Sequence, residues 1–256
     1  MSLENQHVIV TGGGSGIGAA IALVLAENGA KISILARNET NMKNIVSTIE
    51  QHGGDAQYFY CDVQDKTNID NAFSAAVQSF GALRTVIANA GIGGANFDGE
   101  NDRFEEIIRV NLSGAYYTLR AGQRNVIRDD KPCQLIAISS CLARFGVPGY
   151  SAYCASKAGI LGMVRSLALE LAKDNIQVNA VCPGWVNTKM AREGIEGMAS
   201  AMGVSYEEAY RASMRAVPLG RMSEPEEVAS FVSWLVTSNQ SMTGQGVDIN
   251  GGSWMN

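Results

Sequence analysis

Residues 7–18 read HVIVTGGGSGIG and continue without interruption into AAIALVLAENGA over 19–30. A short apolar run, a glycine cluster and a helical pattern in direct succession define a strand–turn–helix unit. Glycines in such a turn let the backbone bend sharply and approach a pyrophosphate, and the first helical turn offers unpaired N–H groups to that anion. A turn serving only strand–helix packing is the alternative reading. The complete strand–glycine–helix context favours a dinucleotide site.

Outward from this unit, short apolar runs alternate with longer helical patterns. Strands are expected at 7–11, 31–36, 56–61, 83–88, 133–139, 176–182 and 246–249, and helices at about 17–28, 40–51, 66–79, 101–127, 151–173 and 224–237. The strand runs are rich in Val, Ile and Leu and mostly lack strict alternation, as parallel strands buried on both faces require. The chain therefore reads as one α/β domain over 1–256, a doubly wound parallel sheet of about seven strands flanked by helices. From about Asn187 to Val217 the pattern turns irregular, with Gly194, Gly197, Gly203 and four methionines. Its length predicts a mobile substrate lid, the alternative being a surface helical excursion.

Composition narrows the function classes. A net charge of −5 argues against nucleic acid, and no apolar run reaches the length needed to cross a bilayer. MSLENQHVIV lacks the pattern of a signal peptide, so a soluble cytoplasmic protein is expected. The five cysteines (Cys61, Cys133, Cys141, Cys154, Cys182) lack C-x-x-C pairing and read as reduced core residues. With only His7 and His52, material for a metal site is almost absent, and none is expected.

The spacing Gly12-x-x-x-Gly16-x-Gly18 departs from G-x-G-x-x-G and resembles that of the short-chain dehydrogenase/reductase family. The resemblance runs along the whole chain: Asn89-Ala90-Gly91 ends the fourth strand run, Asn111 lies in the next helix, and Ser140 follows the fifth strand. Tyr153-x-x-x-Lys157 comes next, then Pro183-Gly184 with Thr188 four residues beyond the glycine. It implies a Rossmann-type fold and a ketone/secondary-alcohol oxidoreductase acting on CH–OH groups. It places Gly12, Ser15, Gly16, Ile17, Gly18, Asp62, Val63, Asn89, Gly91, Pro183, Gly184, Val186 and Thr188 on the cofactor, together with Tyr153 and Lys157. For Asp62 a helix cap is an equally physical role.

The second strand ends in Ala36-Arg37-Asn38, with no carboxylate to bond a ribose 2′-OH. Arg37 instead offers a guanidinium suited to a 2′-phosphate. In the family an arginine at this place goes with NADP, so NADP(H) is expected over NAD, with Arg37 and Asn38 as contacts. The second basic position sometimes used is Ser15 here, so the expectation rests on Arg37; a solvated surface arginine is the alternative.

Residues four apart share a helix face, so Tyr153 lies beside Lys157, whereas Tyr150 lies two turns away. A protonated lysine is expected to lower the phenol pKa toward working pH. Tyr153 would then be the general acid/base, with Ser140 holding the substrate oxygen and Ser139 as runner-up. The resemblance gives Asn111 a proton-relay water to position, a surface asparagine being the alternative. Phe145, Val147, Tyr150, Trp185 and Met190 are candidate pocket residues for a bulky apolar or cyclic carbonyl. PGWVNTKMA (183–191) and VPLGR (217–221) resemble ketoreductases for aromatic polyketides and hydroxybutyrate dehydrogenases. A 3-oxoacyl reductase acting on acyl carrier protein or CoA is the alternative enzyme, and an NADP(H)-binding sensor or scaffold the non-enzyme one. The family also implies a homo-oligomer, tetramer or dimer.

Overall fold

The computed structural model describes residues 3–255. Seven parallel strands form one sheet in the order β3-β2-β1-β4-β5-β6-β7: β1 (His7–Thr11), β2 (Lys31–Ala36), β3 (Ala56–Tyr60), β4 (Leu83–Ala88), β5 (Cys133–Ile138), β6 (Ile176–Pro183) and β7 (Gly246–Ile249). Chain order reverses between β1 and β4, and a crevice at the carboxyl ends of the strands is the physical result.

Side chains of one strand feed two cores. Val8, Val10, Ile32 and Ile34 pack on one side with α1 (Gly16–Glu27), α2 (Glu39–Gln51) and α9 (Pro225–Ser238). Ile9, Leu35, Val86 and Leu135 face the other side, against α3 (Lys66–Phe80), α5 (Gly114–Asn125) and α6 (Ser151–Leu171). Burial on both faces is why the strand runs lack polar alternation.

The structure redraws the sequence reading at three places. The helix expected over 101–127 begins only at α4 (Phe104–Ile108), is interrupted by a π-helical turn over Arg109–Ser113, and ends with α5 at Asn125. Asp65, not Asp62, caps α3, accepting from the N–H groups of Thr67 and Asn68 at 2.8 and 3.2 Å; Asp62 turns its carboxylate to its own loop, accepting from Gln64 N–H. In the segment expected as a lid the structure adds helix α7 (Lys189–Met202), which the pattern does not show, ahead of helix α8 (Tyr206–Met214), which falls on the amphipathic SYEEAYRASM run. They share a third apolar cluster centred on Ala191, Ile195, Ala209 and Met214. Gly203, left-handed at φ +66°, ends α7, and a Ser205–Glu208 capping box starts α8.

Candidate active site

The crevice opens into a cavity of about 930 Å³ lined from the ends of β1, β2, β4, β5 and β6 and from α7 and α8. Every cofactor, pocket and proton-transfer candidate read from the sequence lines it, except Gly18 and Asn111.

Gly18 lies beneath the turn, where a Cβ would come within 2.5 Å of Gly12 O and would also strike the Asn89 amide. Gly12 has φ +67°, and a Cβ there would stand 2.8 Å from Ala90 Cα. Asn89 binds the turn directly, its amide donating to Thr11 O at 3.0 Å and Gly12 O at 3.2 Å. Asn89 is thus the clasp that holds the loops after β1 and β4 together across the crevice. Ser15, at the start of α1, makes no side-chain cap, so the first N–H groups of that helix remain available beside the cavity. Close backbone approach and free N–H groups in one place fit the pyrophosphate of a dinucleotide.

Asn38 caps α2 by accepting from Asn41 N–H at 2.9 Å. Arg37 next to it is exposed on the cavity rim and has no hydrogen-bond partner among the described residues. Thr188 caps α7, accepting from Ala191 N–H at 3.3 Å, and its methyl would lie 3.2 Å from a Cβ on Gly16. The first helix of the lid segment therefore begins against the glycine turn. Both ends of that segment are pinned: Val186 bridges Ser223, with Ser223 N–H donating to Trp185 O and Asn187 N–H to Ser223 O at 2.9 and 2.8 Å.

On the other side, Ser140 leaves β5 in extended conformation and accepts from Leu142 N–H at 3.1 Å. Ser139 points away, donating to Lys157 O at 2.9 Å. Both serines line the cavity, but the Ser139 hydroxyl is committed to Lys157 O, whereas that of Ser140 interacts with the Tyr153 side chain. Lys157 is buried, with Nζ donating to Ile138 O at 2.8 Å and lying 5.6 Å from the centre of the Tyr153 ring.

Burial pushes the Tyr153 phenol up to about 12, with the Ser140 side chain pulling the other way. The same cause pushes Lys157 down to about 8. This differs from the expectation that the lysine lowers the phenol: in this structure loss of solvent is the largest influence on both groups, and the only influence lowering the phenol comes from Ser140.

Asn111 is buried behind this group rather than on the surface. Its amide accepts from Ile92 N–H at 2.8 Å and donates to Ile92 O at 2.9 Å, with a weaker bond to Ser156 Oγ at 3.3 Å. The side chain stands in the π turn, where the slipped ladder rearranges backbone carbonyls.

Phe145, Val147, Tyr150, Trp185 and Met190 all line the cavity. Sequence reasoning missed Met198, Ala212, Ser213 and Val217 from the lid segment, and Ser253 from the C-terminal segment. The amphipathic SYEEAYRASM pattern could have indicated Ala212 and Ser213; nothing near Ser253 marked it. Phe145 also stacks on Trp254, with ring centroids 6.0 Å apart. No group of three or more His, Cys, Asp and Glu side chains that could hold a metal occurs among the described residues, and no helix among them is long and apolar enough to cross a membrane.

A parallel sheet with a nucleotide crevice and a Ser–Tyr–Lys group at its carboxyl edge defines a nicotinamide-type oxidoreductase fold. The chain belongs to the short-chain dehydrogenase/reductase family, whose members act on CH–OH and keto groups. A family profile described as enoyl-(acyl carrier protein) reductase matches residues 12–253. The chain is 37% identical over 251 residues to a granaticin polyketide synthase putative ketoacyl reductase of Streptomyces violaceoruber, covering 95% of this chain and 91% of that one. It is 32% identical over 254 residues to the 3-oxoacyl-[acyl-carrier-protein] reductase MabA of Mycobacterium bovis, with 98% and 94% covered. A solved actinorhodin polyketide ketoreductase variant with NADPH superimposes at TM-score 0.90, with 31% identity and 99% of both chains covered.

Proposed function

We propose that the protein is an NADP(H)-dependent ketoreductase, interconverting a bulky apolar or cyclic ketone and its secondary alcohol with Tyr153 as general acid/base. The observation that carries this reading is the convergence of Ser140, Tyr153 and Lys157 on the wall of a cavity that also holds the glycine turn. When bound, the nicotinamide supplies or accepts the hydride. Ser140 Oγ holds the substrate oxygen, and Tyr153 donates the proton in reduction. A phenol held near 12 is fully protonated at neutral pH, which is the form that donation needs. Lys157, fixed by Ile138 O, keeps positive charge beside the phenol as phenolate develops and would bond the ribose hydroxyls of the cofactor. Asn111 holds the loop after β4 through Ile92, and the π turn around it is where a relay water would be positioned.

NADP is supported by Arg37, uncommitted within the described residues and without a neighbouring carboxylate at the end of β2. Asp62 and Val63 would border the adenine, Gly91 the nicotinamide ribose, and Pro183, Gly184, Val186 and Thr188 the nicotinamide.

The candidate pocket residues Phe145, Val147, Trp185 and Met190 are apolar, and Tyr150, Ser213 and Ser253 add hydroxyl groups to the cavity lining, which suits a bulky apolar ketone. Reduction of a 3-oxoacyl group on acyl carrier protein or CoA is the second reading, favoured by what the named relatives reduce. Of the basic residues clustered near the end of α5, Arg120 is paired with Glu170 and Arg124 with Asp70, which leaves no unpaired basic pair there, among the described residues, for an acidic carrier protein. A sensor or scaffold is the non-enzyme reading. A panel of ketones and 3-oxoacyl thioesters with NADPH, comparing the protein with Tyr153→Phe, separates the three. Turnover confined to cyclic or aryl ketones and lost in Tyr153→Phe is the expected result. Preference for the thioester moves the assignment to the second reading, and binding without turnover to the third.

A further inference from the structure

Helix α6 carries Tyr153 and Lys157, yet its own sequence does not cap it, since Tyr150 at the capping position makes no side-chain bond to the helix. The acceptor comes from a loop 56 residues earlier: Asn96 Oδ1 accepts from Ala152 N–H at 2.9 Å. Asn96 also exchanges hydrogen bonds with Ser151 Oγ at 3.1 and 3.3 Å, and its own N–H donates to Gly149 O at 2.8 Å. Only 8% of Asn96 is exposed. Gly149 permits this approach with φ +78°, and a Cβ there would stand 2.9 Å from the Phe97 ring.

The clamp continues outward. Asn96 Nδ2 donates to Asp102 Oδ1 at 3.2 Å, and the same oxygen accepts from Phe104 N–H at 3.0 Å at the start of α4. One loop thus joins the starts of the two helical segments that lead to Asn111 and to Tyr153. Helix ends fray when their first N–H groups lack acceptors. Tyr153 directly follows the capped Ala152 N–H, whereas Lys157 is anchored one turn later on Ile138 O. Loss of the clamp would therefore loosen the tyrosine more than the lysine.

We propose that Asn96 is a positioning residue for proton transfer, setting the first turn of α6 and with it the place of the Tyr153 hydroxyl relative to Ser140. The inference rests on Tyr153 being the proton carrier. A hydroxyl displaced by about an ångström loses on the order of a hundredfold in rate, while a merely structural residue would lower stability and leave kcat per folded molecule unchanged.

The test measures kcat, NADPH Kd and the thermal midpoint for Asn96→Ala, with Tyr153→Phe alongside. Asn96→Ala should lose about ten- to a hundredfold in kcat while NADPH Kd stays within about threefold. The paired exchange Asn96→Asp with Asp102→Ser keeps an acceptor for Ala152 N–H and places at 102 a hydroxyl that can accept from Phe104 N–H while donating across the loop, so it should recover most of that kcat. If Asn96→Ala does not fold, Asn96→Ser, whose hydroxyl is too short to reach the helix, replaces it. Wild-type kcat in the truncated variant with an inactive Tyr153→Phe overturns this inference alone. A kcat loss matched by the same factor in NADPH affinity, or no recovery in the paired exchange, also overturns it. A fully active Tyr153→Phe overturns the proton-carrier reading and the positioning role with it.

Discussion

Tyr153 and Lys157 stand four residues apart, and burial acts on them in opposite senses, raising the phenol to about 12 and lowering the ammonium to about 8. At neutral pH the pair is therefore a neutral phenol beside a cation, a state suited to delivering a proton. As pH rises through about 8, Lys157 loses its charge and with it the support for a developing phenolate. The free-enzyme kcat/KM for ketone reduction should fall above that pH, and Lys157→Arg, permanently charged, should lose the dependence even if slower. Tyr153→Phe removes the proton donor and should lower kcat by about 10²–10⁴ with NADPH binding retained, measured by turnover and by fluorescence titration. Arg37 bears on the cofactor alone. One lost charge-assisted bond is about 1.5–3 kcal/mol, so Arg37→Ala should weaken NADPH by roughly ten- to a hundredfold and leave NADH little changed. Tyr153, Lys157 and Ser140 were legible from type and spacing. Their pKa directions were not, because these depend on how deeply the fold closes over them. Choosing Ser140 over Ser139 on structural grounds also needed coordinates, since only these show Ser139 bonded to Lys157 O.

Among the elements, the β1–α1 turn is the one whose geometry was written most directly in residue types. Gly18 is required by Gly12 O and the Asn89 amide, which occupy the place of a side chain. Gly18→Val should abolish measurable NADPH binding and lower the thermal midpoint, because the backbone it would displace is itself held by Asn89. A variant that binds NADPH normally would show that the loop can yield. Strand positions were readable because each strand is buried on both faces. The π turn was not, since a slipped hydrogen-bond register leaves no periodic trace around Asn111. Helix α7 was obscured for another reason: Gly194 and Gly197 weaken the helical pattern, and the helix is held by its Thr188 cap and by apolar packing on α8. The Asn96 clamp lies equally out of sight, because a cap supplied from a distant loop has no local signature.

Across the whole molecule the two ends of the sheet do different work, with the cavity at the carboxyl ends and a buried polar joint at the opposite edge. His7 opens β1 and is 1% exposed, with Nδ1 2.8 Å from Gly81 O and Nε2 2.8 Å from Ser33 Oγ on β2. Phe80 meets its ring edge-on at 5.6 Å. Burial lowers the His7 pKa below its usual 6.5, with nearby Lys31 adding to the effect and the bond to Gly81 opposing it. The neutral ring is thus the form that folds, and the unfolded chain binds a proton more readily. By linkage, stability is fully present above about 6.5 and is lost as pH falls through the lower, folded-state value. Thermal unfolding followed between pH 7.5 and 5 should show a falling midpoint, and His7→Gln, which has no titrating ring, should flatten that fall even if it is less stable throughout. Since His7 lies at the end of the sheet remote from Tyr153, kcat at pH 7 should be nearly unchanged in the folded variant. An equal pH dependence in both proteins would assign the acid sensitivity to carboxylates instead.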